Sequence, residues 1–149
     1  MAFWRLFYHL VWTTKLRQEL ITPEIEDRLL GFMAHEAREL NGSVMASGAM
    51  PDHVHLLATI PPSVSISNFV KQLKGSSSRF VTRDLGLPFE WQAGYGVFTI
   101  DESDVPGVKD YVLNQKARHK SGQLIPRLEW NATWNYGPGD SFVPTRGVL

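Results

Sequence analysis

The chain has 149 residues, with 15 Lys plus Arg balanced by 15 Asp plus Glu, and no cysteine. That length suits one domain with a real core, and the charge balance argues against indiscriminate nucleic-acid binding without excluding a basic face. Lacking cysteine, the chain has no disulfides, no thiolate metal sites and no cysteine nucleophile.

The first twelve residues are apolar and aromatic, but Arg5 and His9 interrupt them and no small-residue cleavage site follows. They are not expected to form a signal peptide, no run approaches membrane-spanning length, and a cytoplasmic location is expected. Phe7 to Thr13 is rich in aromatic and β-branched residues and reads as a first strand. A polar turn with Lys15 and Arg17 follows. Thr22-Pro23 supplies a hydroxyl cap and a proline for a helix start. Ile25, Leu29, Phe32, Met33, Ala37 and Leu40 then recur at helical spacing until Asn41-Gly42.

Ser43 to Met50 reads as a second strand, Pro51-Asp52 as a turn, and His53 to Ile60 as a third strand closed by Pro61-Pro62. A second helix runs from about Ser65 to Asp84, with Ile66, Phe69, Val70, Leu73, Phe80 and Val81 as its apolar face. Its middle, Lys74-Gly75-Ser76-Ser77-Ser78-Arg79, is poor helix-forming sequence. Either a thin side packs close to a neighbour, or a phosphate backbone approaches the small residues between Lys71, Lys74, Arg79 and Arg83. Trp91 to Ile100 reads as a fourth strand, with Gly94 and Gly96 marking a bulge or close approach. Ser103 is the expected cap of a third helix reaching Ser121-Gly122, acidic at its start and basic at its end.

The order β-α-β-β-α-β plus a helix is that of the ferredoxin-like split unit, and helices on one face of an antiparallel sheet give the α+β class. One domain is expected over residues 1–130. Residues 131–149, rich in Gly, Pro, Asn and Trp, form a tail with no assigned role and no expected regular structure.

Two clusters carry chemistry. In Met50-Pro51-Asp52-His53-Val54-His55-Leu56-Leu57, a strand points His53 and His55 to one face. Two such imidazoles suit a shared divalent metal, or are half-buried, hydrogen-bonded strand residues. In Tyr111-Val112-Leu113-Asn114-Gln115, the first and last residues share a helix face. Val105, Val108 and Val112 already supply a buried stripe, with Tyr111 beside it. Tyr111 is then either structural or a nucleophile. A phenol with a pKa near 10 needs activation for that role, which a metal on the target phosphate provides. The Gln115 amide oxygen would add a third donor to the histidine pair.

Five segments in order resemble the single-tyrosine transposases of the HUH endonuclease superfamily, of the insertion sequence 200/605 type. They are Tyr8-His9-Leu10-Val11-Trp12-Thr13-Thr14-Lys15, the histidine segment, Leu73-Lys74-Gly75-Ser76-Ser77-Ser78-Arg79, Trp91-Gln92-Ala93-Gly94-Tyr95-Gly96-Val97-Phe98, and the tyrosine segment. The resemblance implies that His53, His55 and Gln115 hold Mg²⁺ or Mn²⁺. It implies that Tyr111 attacks single-stranded DNA at hairpin-marked element ends through a 5′-phosphotyrosine link, which a second 3′-hydroxyl later reverses. It further implies a homodimer of joined sheets, a tyrosine helix able to serve the partner's site, and a hinge near Gly122. Such an enzyme works in a bacterial or archaeal cytoplasm, associated with the nucleoid when active. Lys15, Arg17, Lys71, Lys74, Arg79 and Arg83 are the expected DNA contacts, on charge and position only. Other readings are a domesticated relative processing repeated chromosomal hairpins, a non-catalytic ferredoxin-like nucleic-acid-binding module stacking bases on strand aromatics, and a small metal-dependent hydrolase.

Overall fold

Alternation along the two central strands determines the architecture. In the computed structural model, which describes residues 2–124 and Leu128, β1 (Phe7–Thr13) pairs antiparallel with β3 (His53–Thr59). The edge strand β2 (Ser43–Met50) flanks β3, and β4 (Gly96–Ile100) flanks β1, giving the antiparallel order β2-β3-β1-β4. This is the ferredoxin-like arrangement expected from the element order. One set of alternate side chains, Leu10, Trp12, Val54, Leu56 and Ala58, packs with α1 (Pro23–Glu39) and α2 (Ile66–Arg79). The other set includes Phe7 and Leu57, and it packs with Val108, Tyr111 and Val112 of α3 (Val105–Leu113). A last helix, α4 (Gln115–Ser121), continues over β2.

The sheet is therefore covered on both faces, not on one as the sequence suggested. The third helix crosses to the face opposite α1 and α2 because the odd residues of β3 and β1 are buried too. Double coverage also explains why β3 is buried along nearly its whole length.

Burial outweighs local preference in α2. Gly75 and the serines cost up to about 1 kcal/mol each against alanine, whereas burying Phe69, Val70 and Leu73 contributes about 1.5–3 kcal/mol apiece. The thin side does meet a neighbour: Ser77 is fully buried and accepts a 2.9 Å hydrogen bond from the Trp91 indole. Beyond Arg79 the helix widens into a π turn over Phe80–Asp84. Phe80 there stacks on Phe32 of α1 at 4.5 Å.

Three boundaries differ from the sequence reading. β4 begins at Gly96, because Gly94 takes a positive φ of 90° and Trp91 makes only an isolated bridge with Thr14. The third helix breaks at Asn114 (φ −107°, ψ 31°) into α3 and α4. Its cap is not Ser103: Asp101 accepts the Ser103 backbone N–H at 2.9 Å and starts a short 3₁₀ turn, Glu102–Asp104, leading into α3. The expected tail, 131–149, lies outside the described residues.

Candidate active site

His53 and His55 are buried on the sheet face covered by α3, as strand alternation requires, with ring centroids 5.1 Å apart. Both rings are held through Nδ1. His53 Nδ1 donates to Asp52 Oδ1 at 2.7 Å, and His55 Nδ1 lies 2.9 Å from Nε2 of the fully buried His9 on β1. With Nδ1 engaged, Nε2 is the nitrogen through which each ring would ligate a metal. Carboxylate or other polar support behind a metal-binding imidazole fixes its tautomer and its direction. Asp52 is itself braced by Arg17 Nε at 2.9 Å. The sequence reading left Asp52 in a turn and His9 as a strand residue, and gave neither a role.

Asp52 carries a pH signature. The hydrogen bond from His53, helped by Arg17, holds its carboxyl down to about 2 from an ordinary 3.8, against the cost of partial burial. A depressed carboxyl stabilises the fold above its unfolded pKa, and that contribution is lost as pH falls through the folded one. Thermal midpoints of the wild type are therefore expected to fall more steeply between about pH 4 and pH 2 than those of Asp52→Asn. Parallel curves would show that the Asp52–His53 bond adds no net stability.

The other half of the site comes from α3 and α4. Tyr111, Gln115 and His119 follow at intervals of four and form one row across the helix break. The break is tied locally: Asn114 Nδ2 donates to Asp110 O at 2.8 Å and to Asp110 Oδ1 at 3.0 Å. Arg118 spans it, 3.4 Å from Asp110 Oδ2, with its guanidinium 5.2 Å from the Tyr111 ring centroid. Gln115 is buried; its Nε2 donates to Tyr111 O at 3.0 Å and its Oε1 accepts from His119 Nε2 at 3.1 Å. The His119 ring lies 4.9 Å from that of His53, and the Tyr111 ring 6.1 Å from that of His55.

Close approach of helix to strand depends on Gly48. It stands opposite His55 in register on β2, and a Cβ there would lie 2.1 Å from the Val112 carbonyl oxygen and 3.1 Å from Gln115 Cγ. Only glycine admits the helix at that depth.

The structure thus brings His53, His55, Tyr111 and Gln115 together. Tyr111, however, is not beside the buried stripe but within it, with no exposed surface, among Phe7, Leu57, Val108 and Val112. His119 is the residue that sequence reasoning missed. Its signal was the four-residue step from Gln115, which was read only as basic charge at a helix end.

The cationic residues separate into two groups. Lys71, Arg79 and Arg83 are exposed on α2 and its π turn. Lys15 pairs with Glu90 at 2.9 Å, and Arg17 with Asp52. Lys74 Nζ donates to the carbonyls of Gln92 (2.7 Å) and Gly94 (2.8 Å), and desolvation lowers its pKa to about 8. It pins the loop before β4. Gly122 ends α4 at a positive φ of 72° with open space around it.

The imidazoles of His53, His55 and His119 each offer a nitrogen, all within 4.8 Å of one another. Adding the Gln115 amide oxygen, the donor set fits a divalent ion. A cation held there would polarise a phosphate, and Tyr111 lies on the adjacent helix. No helix among the described residues is long and apolar enough to cross a membrane.

Known proteins resemble this chain in sequence and in fold. Residues 2–115 match the family model described as "Transposase IS200 like". The ISDra2 transposase TnpA of Deinococcus radiodurans is 33% identical over 119 residues, spanning 75% of this chain and 85% of that protein. The transposase for insertion sequence element IS200 of Salmonella typhimurium is 30% identical over 130 residues, spanning 82% and 84%. A crystal structure of a candidate transposase from Deinococcus radiodurans superposes with a TM-score of 0.60 at 34% identity, over 76% of this chain and 93% of the other. A REP-associated tyrosine transposase, solved bound to a REP hairpin, shares the fold at a TM-score of 0.60 and 16% identity, over 97% and 100%. The histidine pair and tyrosine row therefore stand on the fold of the HUH tyrosine transposases, and the chain belongs to the IS200-like transposase family.

Proposed function

We propose that the protein cleaves and rejoins single-stranded DNA at hairpin-marked element ends, with Tyr111 as nucleophile and His53, His55 and Gln115 as metal ligands. The observation that carries this reading is the convergence of the row Tyr111–Gln115 on the paired imidazoles, across the Gly48 contact. The Tyr111 phenol loses its proton to solvent as its oxygen attacks the scissile phosphorus. The bond from phosphorus to the 3′-oxygen breaks, that oxygen takes up a proton, and a 5′-phosphotyrosine ester keeps the energy of the broken bond for rejoining. Bound Mg²⁺ or Mn²⁺ would polarise the phosphate and lower the barrier to attack. His53 and His55 are pre-aimed by Asp52 and His9, so little reorganisation is needed at the metal. Tyr111 is enclosed, by Leu128 as well as by the sheet, so the phenol must be uncovered before a phosphate reaches it. The enzyme would act as a homodimer in the cytoplasm, and the hairpin-bound fold relative is in keeping with a hairpin substrate.

The test is direct. Full-length protein is incubated with a hairpin-bearing single strand and Mn²⁺, then denatured. A protein–DNA adduct that survives denaturation supports the reading. Free cleavage products without adduct would favour a hydrolase, and binding without cleavage under any metal a non-catalytic module.

Lys71, Arg79 and Arg83 follow a helical row and are the cations we assign to the DNA backbone. Each phosphate contact releases counterions, so each change to glutamine is expected to lower the slope of log affinity against log salt by about one. Binding titrations across salt concentrations measure this, and unchanged slopes in all three variants would move the backbone contacts elsewhere.

A further inference from the structure

We propose that His119 is a fourth protein ligand, so that one divalent ion is held by three imidazoles and the Gln115 amide. The inference rests on the metal reading above and adds to it a residue on α4. Three observations converge. Nitrogens of His53, His55 and His119 lie within 4.8 Å of one another, which one ion can span. The 3.1 Å hydrogen bond from His119 Nε2 to Gln115 Oε1 sets these atoms at the spacing of neighbouring donors on a six-coordinate ion with bonds of about 2.1 Å, and both become donors to it once the imidazole proton sits on Nδ1. The half-buried His119 ring is tilted 52° over His53, at the end of the row that begins at Tyr111.

A bland account would have His119 complement the negative end of α4, alongside Arg118 and Lys120. Charge at a helix end is served equally well by a ring pointing into solvent. It does not explain a ring turned inward onto His53 with its Nε2 against the Gln115 amide oxygen. The break at Asn114, fixed by Asp110 and bridged by Arg118, is what aims α4 so that His119 reaches the strand histidines.

The chemical consequence is selectivity. Two imidazoles and an amide leave enough oxygen positions for Mg²⁺, whereas a third imidazole moves the preference away from Mg²⁺ toward the first-row transition ions, of which Mn²⁺ is the hardest. Four protein donors leave two positions of an octahedron, enough for one phosphate oxygen and one water. Placing a ligand on α4 also couples the ion to the helix that follows the tyrosine.

Mn²⁺ alone is the probe, added to the full chain without DNA. Pulsed electron paramagnetic resonance counts the coordinated nitrogens, and calorimetry compares Mn²⁺ with Mg²⁺. The wild type is expected to show three nitrogens and His119→Asn two, with Mn²⁺ affinity reduced at least about tenfold and Mg²⁺ affinity little changed. His119→Gln, whose longer side chain can bring its amide oxygen to the ion, is expected to show two nitrogens and an intermediate affinity, and circular dichroism verifies the fold of each variant. Two nitrogens in the wild type, with no affinity change in His119→Asn but loss of binding in His53→Ala, would overturn the role of His119 and leave the histidine pair intact. Mn²⁺ binding that is absent, or indifferent to His53→Ala, would overturn both readings.

Discussion

Tyr111→Phe is expected to abolish the denaturant-resistant adduct and to reduce strand cleavage by at least about 10³-fold. Hairpin binding should be unchanged. The substitution removes one oxygen and keeps a ring that is fully buried against Phe7, Leu57, Val108 and Val112. Stability should therefore move by less than about 1.5 kcal/mol, as for other shape-conserving core changes. The Arg118 guanidinium, 5.2 Å from the ring centroid, still faces an aromatic surface. Tyr111→Ala is the contrasting case, because it empties the core beneath α3 and should cost about 3–5 kcal/mol. Comparing the two separates chemistry from packing. Gel analysis of denatured reactions and thermal midpoints give the two readouts. An adduct that persists in Tyr111→Phe would move the nucleophile to Tyr8, Tyr95 or Tyr136.

The structure sharpens what that tyrosine must do. A buried phenol cannot be attacking DNA in the state described. Packing against Phe7, Leu57, Val108, Val112 and Leu128 would withhold a nucleophile at this position. On the proposed mechanism, uncovering the Tyr111 phenol is therefore a step that must precede attack.

Much of this was legible in the residues. The pattern of β1 and β3, the step of two between His53 and His55, and the step of four between Tyr111 and Gln115 are local periodicities, and they translate directly into shared faces. What was not legible depends on distant partners. Whether Tyr111 is buried depends on which sheet face α3 covers, and no spacing within α3 encodes that. His9 and His55 are 46 residues apart, and their hydrogen bond exists only because β1 lies beside β3. The serines of α2 allowed close packing or phosphate approach equally. Trp91, far along the chain, settled Ser77 by donating to it, while Gly75 still faces a groove with Lys15 and Lys74. The extra length read into β4 failed for a similar reason. Trp91 to Tyr95 has strand-like composition, but Gly94 turns the backbone and Lys74 takes its carbonyls out of the ladder.

Gly48→Ala should be the most disruptive single-methyl change at this site. The added Cβ would sit 2.1 Å from the Val112 carbonyl oxygen, well inside contact distance, and that atom belongs to a helix backbone that cannot rotate aside. Either β2 bends outward or α3 lifts. β2 is an edge strand, yet its register with β3 is held on both sides of Gly48 by Ser47↔Leu56 and Ala49↔Val54. The helix should therefore be the part that yields. Overpacking of this kind costs about 1–3 kcal/mol, and the loss should be local. Amides of residues 105–121 are expected to exchange with solvent faster than in the wild type, while those of β1 and β3 keep their protection. His53 and His55 should keep their Asp52 and His9 partners, because β3 does not move. Hydrogen exchange and thermal midpoints measured together test the point. Wild-type exchange across α3 in Gly48→Ala would mean that the helix is not seated on β2 at this depth in solution. Uniformly faster exchange through the whole sheet would mean that β2, not the helix, gives way.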